Sequence, residues 1–387
     1  MSQNVYLESK PRYEILDGLR GVAAVVVIFF HIFEGYAASP ATQHVNHGYL
    51  AVDFFFLLSG FVVGYAYDDR WRSMTTWSFF KRRLVRLHPM VVMGTVVGAA
   101  LYYFGQCDGF PLIGNVECWK VGLAFVMGLF MIPCGPGMDI RGWGEMNSFN
   151  GPNWSLTWEY LANILYAVVL RRLGNVALGI LVGAAAFCTL DLTLNLDTFG
   201  LLAERSAAYA YTVIGGWSIT PEQLYIGATR LLYPFLAGLL LSRIGKFIRV
   251  RNGFWWCSLL LVVLLCIPCV GGEGSILNGI YNATTILILF PVIVLMGAGS
   301  SIKGKRSVKL CNFLGEISYQ LYITHYPIMY VQMQWAWTHG DAPLYAHIVV
   351  AGGSVLLAIA LAYACLKLYD LPVRQWLTDH WLKAKRV

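Results

Sequence analysis

Apolar runs alternate with short polar breaks along the whole chain. They fall near 19–36, 49–66, 88–105, 119–134, 154–171, 174–191, 223–242, 253–270, 277–299, 313–334 and 344–368. A helix needs ~20 mainly apolar residues to cross ~30 Å of hydrocarbon, so these runs predict membrane spans. The run "WKVGLAFVMGLFMIP" is short, ends in proline and is followed by "CGPG". It reads either as an eleventh crossing or as an interfacial or re-entrant segment.

Charge arbitrates, because cytoplasmic loops are enriched in Lys and Arg and omitting one span inverts everything after it. With ten spans and both termini cytoplasmic, only Lys120, Arg141 and Arg205 face outward, and Arg230 lies within the membrane. With eleven, "RRL" at 171–173, "RIGKFIRVR" at 243–251, "KGKR" at 303–306 and the tail "KAKRV" would all face outward. The expected fold is therefore all-α and integral to the membrane. It has ten transmembrane helices, cytoplasmic termini and one interfacial or re-entrant segment around 119–134. Outward loops then fall at 37–48, 106–153, 192–222 and 335–343, and an outward-facing function is expected to use the two long ones. No repeat of fixed period and no low-complexity linker divides the chain, so residues 1–387 are expected to form one polytopic domain.

Composition agrees with this picture. Of 387 residues, 57% are hydrophobic and 13% charged, and the mean hydropathy of +0.58 exceeds what a soluble core requires. The N-terminal "MSQNVYLESKPRYEILDGLR" lacks the basic-then-apolar order of a secretory signal, so the first span is expected in the mature protein. The net charge of +7 comes from short basic clusters between apolar runs. That pattern suits lipid headgroups and a soluble anionic ligand and argues against nucleic acid. The nine cysteines form no pair of CxxC motifs, and six lie in or beside apolar runs, so no metal site is expected. Cys107, Cys118 and Cys134 share one outward segment, where a Cys107 to Cys118 disulfide and three free thiols are both open readings.

Within the apolar runs, ionisable residues stand out. In "GLRGVAAVVVIFFH", Arg20 and His31 are eleven residues apart, ~16.5 Å of helical rise and nearly one face. A histidine at that depth needs a partner or a watered cavity, and the bland reading is polar glue between helices. In "GPNWSLTWEYLANILYA", Glu159 and Asn163 sit one turn apart. In "LGEISYQLYITHYPI", Ser318, Tyr322 and His325 share a face. Arg230 lies in another half-span, where a structural salt bridge to Glu159 is the competing reading. At the inner boundary "SFFKRRLVRLHPM" supplies Arg83 and Arg86, which are i, i+3 neighbours. Such a cluster serves as a lipid anchor, or as paired guanidinium forks for a phosphate-rich ligand.

Taken in order, these motifs resemble the acyltransferase-3 family of integral membrane O-acyltransferases. "LDGLRGVAAVVVIFFH" is similar to its Arg/Lys-x10-His element. "GYLAVDFFFLLSGFV" resembles its Gly-Phe-x-x-Val and FFxxSGF region, with Tyr49 in place of Phe, and "FFKRRLVRLHP" its Arg-x-x-Arg element. "WSLTWE", "RLLYPFLAG" and "LGEISYQLYITHYP" resemble later blocks, although "WSLTWEYLANILY" carries one acid where many members carry two. The resemblance implies transfer of an acyl group, commonly acetyl, from cytoplasmic acyl-CoA to a hydroxyl of an outward-facing glycan or lipid-linked sugar. Because the chain ends soon after its last span, a membrane unit without an appended hydrolase-like domain is expected, in a bacterial inner membrane.

The expected division of labour follows from depth. Arg20, Arg83 and Arg86 would hold the phosphates of acetyl-CoA, and His31 would act as general base. His325 is the alternative base or the site of an acyl-histidine, and Glu159 would orient a histidine or bind the acceptor. Asp53, Trp154, Arg230 and Tyr322 are expected around the substrate. Two other readings remain open at this point: O-acylation of a small molecule such as a macrolide, and proton-coupled transport through the same buried charges. The oligomeric state is not legible.

Overall fold

The computed structural model describes residues 10–382. Among them every regular element is helical: α1 (Glu14–Glu34), α2 (Ala51–Tyr67), α3 (Thr76–Leu101), α4 (Cys118–Leu129), α5 (Asn153–Val168), α6 (Asn175–Thr193) and α7 (Pro221–Ile244). These are followed by α8 (Gly253–Cys266), α9 (Ile276–Thr284), α10 (Phe290–Gly299), α11 (Lys305–Thr338), α12 (Leu344–Ala364) and α13 (Leu371–Leu377), with short 3-10 and π-helical turns between some of them. The termini, with the basic tail residues Lys383, Lys385 and Arg386, lie outside the described residues.

Seven helical stretches are long and apolar enough to cross a membrane by length and composition, and the chain is a multi-pass membrane protein. The expected spans at 154–171 and 253–270 are shorter than read, being helical over Asn153–Val168 and Gly253–Cys266. The helix α11 is long enough, but it buries Ser318, Gln320, Thr324, His325 and Gln332. It faces protein rather than lipid, which is why it is polar. The segment around 119–134 is helical over Cys118–Leu129 only, and twelve residues rise ~18 Å, short of the ~30 Å hydrocarbon core. It packs along α3, with Gly128 against Thr95, and the chain then turns back through Met131 at φ 56°.

Two ends can be told apart by composition. Lys81, Arg82, Arg171, Arg172, Arg243 and Arg306 mark a basic end. The opposite, loop end carries residues 35–50, 102–152 and 194–220, and Arg243 ties the basic end together by donating to Asp68 and to the carbonyl oxygens of Leu170 and Leu173.

Small residues decide which helices meet. Gly18 of α1 lies against Cys311, and Gly21 against the Leu314 backbone of α11, with no room for a Cβ at either position. Gly60 of α2 and Gly238 of α7 likewise each sit on the other helix's backbone. Where no hydrophobic force separates lipid from protein, such close backbone approach is what holds membrane helices together. Its consequence is that α11 runs beside α1 from Glu14, at Cys311, to Gly35, at Trp337, bringing His31 and His325 together.

Candidate active site

Near the basic end, α1, α2, α3, α5 and α11 enclose a cavity of about 90 Å³ whose wall includes Arg20, Arg83, Arg86 and Glu159. Arg83 donates to Glu159 Oε1 at 2.7 Å, and the Ser59 hydroxyl donates to the same oxygen at 3.0 Å. Arg20 donates to Asp17, one turn back on its own helix, at 3.0 Å. Arg86 is different. It lines the cavity without a hydrogen bond or ion pair to any described residue, so its guanidinium is available to an anion. Glu159 accordingly belongs to an arginine and not to a histidine, which corrects the expected histidine-orienting role.

Nearer the loop end lies a larger cavity of about 520 Å³, lined by His31, Glu34, Glu145, Trp154, Arg230 and Tyr322 among others. His31 Nδ1 is 2.7 Å from Glu34 Oε2. An ionised carboxylate only accepts, so this contact places the ring proton on Nδ1 and leaves Nε2 as the basic nitrogen. The same orientation logic operates in hydrolase triads. The His31 ring also meets Tyr326 edge-on, with centroids 4.5 Å apart, and lies 5.5 Å from the His325 ring.

His325 occupies a different place from the expected one. Its ring is fully buried and lines neither cavity. Nδ1 donates back to the carbonyl oxygens of Leu321 and Tyr322 at 3.0 and 2.8 Å, and Nε2 has no partner among the described residues. The two histidines are therefore not equivalent: His31 faces the cavity and His325 stands behind it.

Arg230 does not pair with Glu159. It donates through Nε and Nη2 to Asp53, at 2.8 Å for the shortest bond, and also to the carbonyl oxygens of Tyr49 and Gly215. Asp53 is wholly buried and, contrary to the expected substrate contact, sits behind Arg230. Trp154 covers the guanidinium at 5.1 Å.

The cavities share two lining residues, Val52 and Tyr322. The Tyr322 hydroxyl lies 2.8 Å from Ser155 Oγ. One layer of side chains thus separates the arginine-lined space from the histidine-lined one.

Two acids escaped the reading of the sequence. Glu34 was signalled by "HIFE", an acid one turn after His31, and was overlooked because it ends the apolar run. Glu145 stands in the irregular stretch before α5, where no periodicity announces it. It is buried and accepts from the Tyr330 hydroxyl on both oxygens, at 2.8 and 2.6 Å. Burial pushes its carboxyl up to about 7, against the opposing pull of Arg141 and of the Tyr330 hydrogen bonds. The cysteines Cys107, Cys118 and Cys134 are free thiols, so the disulfide reading is not the one the structure adopts.

The chain is 33% identical over 163 residues to "Protein 2 in picA locus" of Rhizobium radiobacter, covering 40% of this chain and 81% of that protein. It is 24% identical over 388 residues to O-acetyltransferase OatA of Staphylococcus aureus, covering 94% of this chain and 58% of that one. The chain thus spans little more than half the length of OatA. Acyltransferase MdmB of Streptomyces mycarofaciens is 24% identical over 339 residues, with 82% and 79% covered. No solved structure matches the chain. The family model described as an acyltransferase domain matches residues 13–366, nearly the whole chain, and the protein is therefore a member of the acyltransferase-3 family.

Proposed function

We propose that this protein moves an acetyl group from acetyl-CoA, bound at the basic end, to a hydroxyl of a glycan or lipid-linked sugar bound at the loop end. The observation that carries the reading is the pair of cavities meeting at Val52 and Tyr322, one lined by Arg20, Arg83 and Arg86 and the other by the His31 and Glu34 pair. In this reading ten spans place the basic end in the cytoplasm of a bacterial cell, where acyl-CoA is made, and the loops outside.

Arg86, with Arg20 and Arg83 beside it, binds the nucleotide phosphates. The thioester on its long flexible arm reaches past Tyr322 toward His31. The acceptor hydroxyl oxygen attacks the thioester carbonyl carbon while His31 Nε2 takes the hydroxyl proton, and Glu34 stabilises the imidazolium that forms. The carbon–sulfur bond then breaks, and the proton passes from His31 to the departing thiolate. An acetyl ester and free coenzyme A result. The names of OatA and MdmB support acyl transfer, and they favour it over proton-coupled transport through the same residues.

The test is release of free coenzyme A thiol by purified protein, with acetyl-CoA alone and with added lipid-linked saccharide. Acceptor-dependent thiol release with acetyl ester on the sugar is expected. Acetyl-CoA left intact in the presence of polysaccharide and lipid-linked acceptors, with the protein folded and binding coenzyme A, would overturn the reading.

A further inference from the structure

We propose that the loop-end cavity is built for a sugar ring without a carboxylate, a neutral or amino sugar, and that Glu145 sets this selectivity. The inference rests on placing the acceptor in that cavity, and it concerns binding alone.

The volume of about 520 Å³ lies within the ~300–1,000 Å³ of ordinary ligand sites. Trp143, Trp154 and Trp217 contribute broad aromatic surfaces to its wall, which suit the C–H faces of a pyranose. The indole N–H of Trp143 is committed to the Gly109 carbonyl oxygen, whereas those of Trp154 and Trp217 bond to no described residue and can donate to a ligand.

Charge gives the selectivity. The ionisable groups on the wall are His31, Glu34, Glu145 and Arg230, together with the phenols of Tyr49, Tyr209, Tyr322 and Tyr326. The one guanidinium among them is already neutralised: Asp53 takes Nε and Nη2, Gly215 takes Nη1, and Trp154 covers it. Behind Glu145, Arg141 stacks on the Tyr330 ring at 3.5 Å and sends its Nε–H to the Ser148 carbonyl oxygen, making no direct bond to the carboxyl. Asp139 accepts from the backbone N–H of Arg141, and Arg205 engages Thr212 and Ile214.

A carboxylate accepts about four hydrogen bonds. Tyr330 brings one proton to Glu145, and Glu34 is engaged through one oxygen. The wall therefore offers acceptor oxygens and no unpaired cation. Ring hydroxyls and an ammonium match it, whereas a ligand carboxylate would meet two like charges with no counter-ion on the wall, the unpartnered Nη1 of Arg141 lying behind it.

The experiment is titration of tryptophan fluorescence of the purified full chain with methyl glucoside, glucosamine and glucuronate, with no acyl donor present. At pH 8 glucuronate is expected to bind at least roughly tenfold more weakly than the other two, a difference of about 1.4 kcal/mol. The gap should narrow at pH 6, where Glu145 takes up its proton and glucuronate stays charged. Glu145→Gln should narrow the gap at pH 8. If that variant does not fold, the wild-type comparison at the two pH values decides alone. Glucuronate binding as well as methyl glucoside, or no sugar perturbing the fluorescence, would overturn the proposal. Selective sugar binding by a protein that transfers no acetyl group would overturn the catalytic reading and leave this one. Acetylation of a uronate in preference to a neutral sugar would do the reverse.

Discussion

Glu34 Oε2 lies 2.7 Å from Nδ1 of His31, one turn further along the same helix. The pair fixes which ring nitrogen is basic, and substitution separates the proposed general base from polar glue. His31→Gln keeps hydrogen-bonding capacity but cannot take up a proton at neutral pH. Single-turnover acetyl transfer at saturating donor and acceptor should fall by 100-fold or more, on the scale of ~10²–10⁴ for a lost general base. Glu34→Gln should lower the rate less than His31→Gln, because the imidazolium loses its carboxylate partner while the base remains, with coenzyme A binding retained. Near-normal transfer by His31→Gln would remove His31 from the chemistry.

Arg83 and Arg86 should behave differently despite their shared motif. Arg86 has no protein partner, so Arg86→Ala should weaken coenzyme A binding by about 1.5–3 kcal/mol and leave thermal stability nearly unchanged. Arg83→Ala should in addition destabilise the fold by up to about 3 kcal/mol, because it strands Glu159. The added Glu159→Gln substitution should recover part of that loss. Affinity and unfolding midpoint measured on the same detergent-purified samples check both statements.

Breaking the Asp53 and Arg230 pair has a larger cost. Both partners are almost completely buried, so Asp53→Ala leaves an uncompensated cation and should destabilise the protein by roughly 3–5 kcal/mol. Asp53→Leu combined with Arg230→Met should be closer to wild type in stability than Asp53→Ala, yet poor in transfer. A double variant less stable than the single one would contradict the assignment.

The Glu145 carboxyl titrates near 7 instead of its ordinary 4.5, with burial the main cause. Between these values the folded chain holds a proton that the unfolded chain has released, so stability falls as pH rises. The penalty is absent below about 4.5 and complete above about 7. Glu145→Gln should gain in unfolding midpoint relative to wild type as pH rises from 5 to 8. A constant difference between the two proteins across that range would refute it.

The proposed ten-span arrangement would make residues 171–174 cytoplasmic. A cysteine introduced at Leu173 in a background without reactive external thiols should resist an impermeant reagent in intact cells and react after permeabilisation. Labelling in intact cells would invert the topology.

Much of this protein is set by composition and spacing alone. Long apolar runs cannot satisfy their backbone groups in lipid except as helices, so the all-helical class and most helix positions follow from hydropathy. The ordered motifs carried the family, and the spacing of Arg20 and His31 put them on one helix face. The weakness of the 119–134 run was also legible, in its length and its proline. What composition could not decide is which charges meet, because an ion pair in a membrane protein joins residues far apart in sequence. The sequence suggested Arg230 as the partner of Glu159, and the pairing with Arg83 appears only in the folded chain, where α2 and α7 close on each other through Gly60 and Gly238 and Arg230 goes to Asp53. The inequality of His31 and His325 has the same origin. Both stand on polar helix faces, but packing buries His325 completely whereas His31 lines the larger cavity. Glu145 lies in irregular chain, where neither period nor propensity operates, and only tertiary packing brings it to the same cavity.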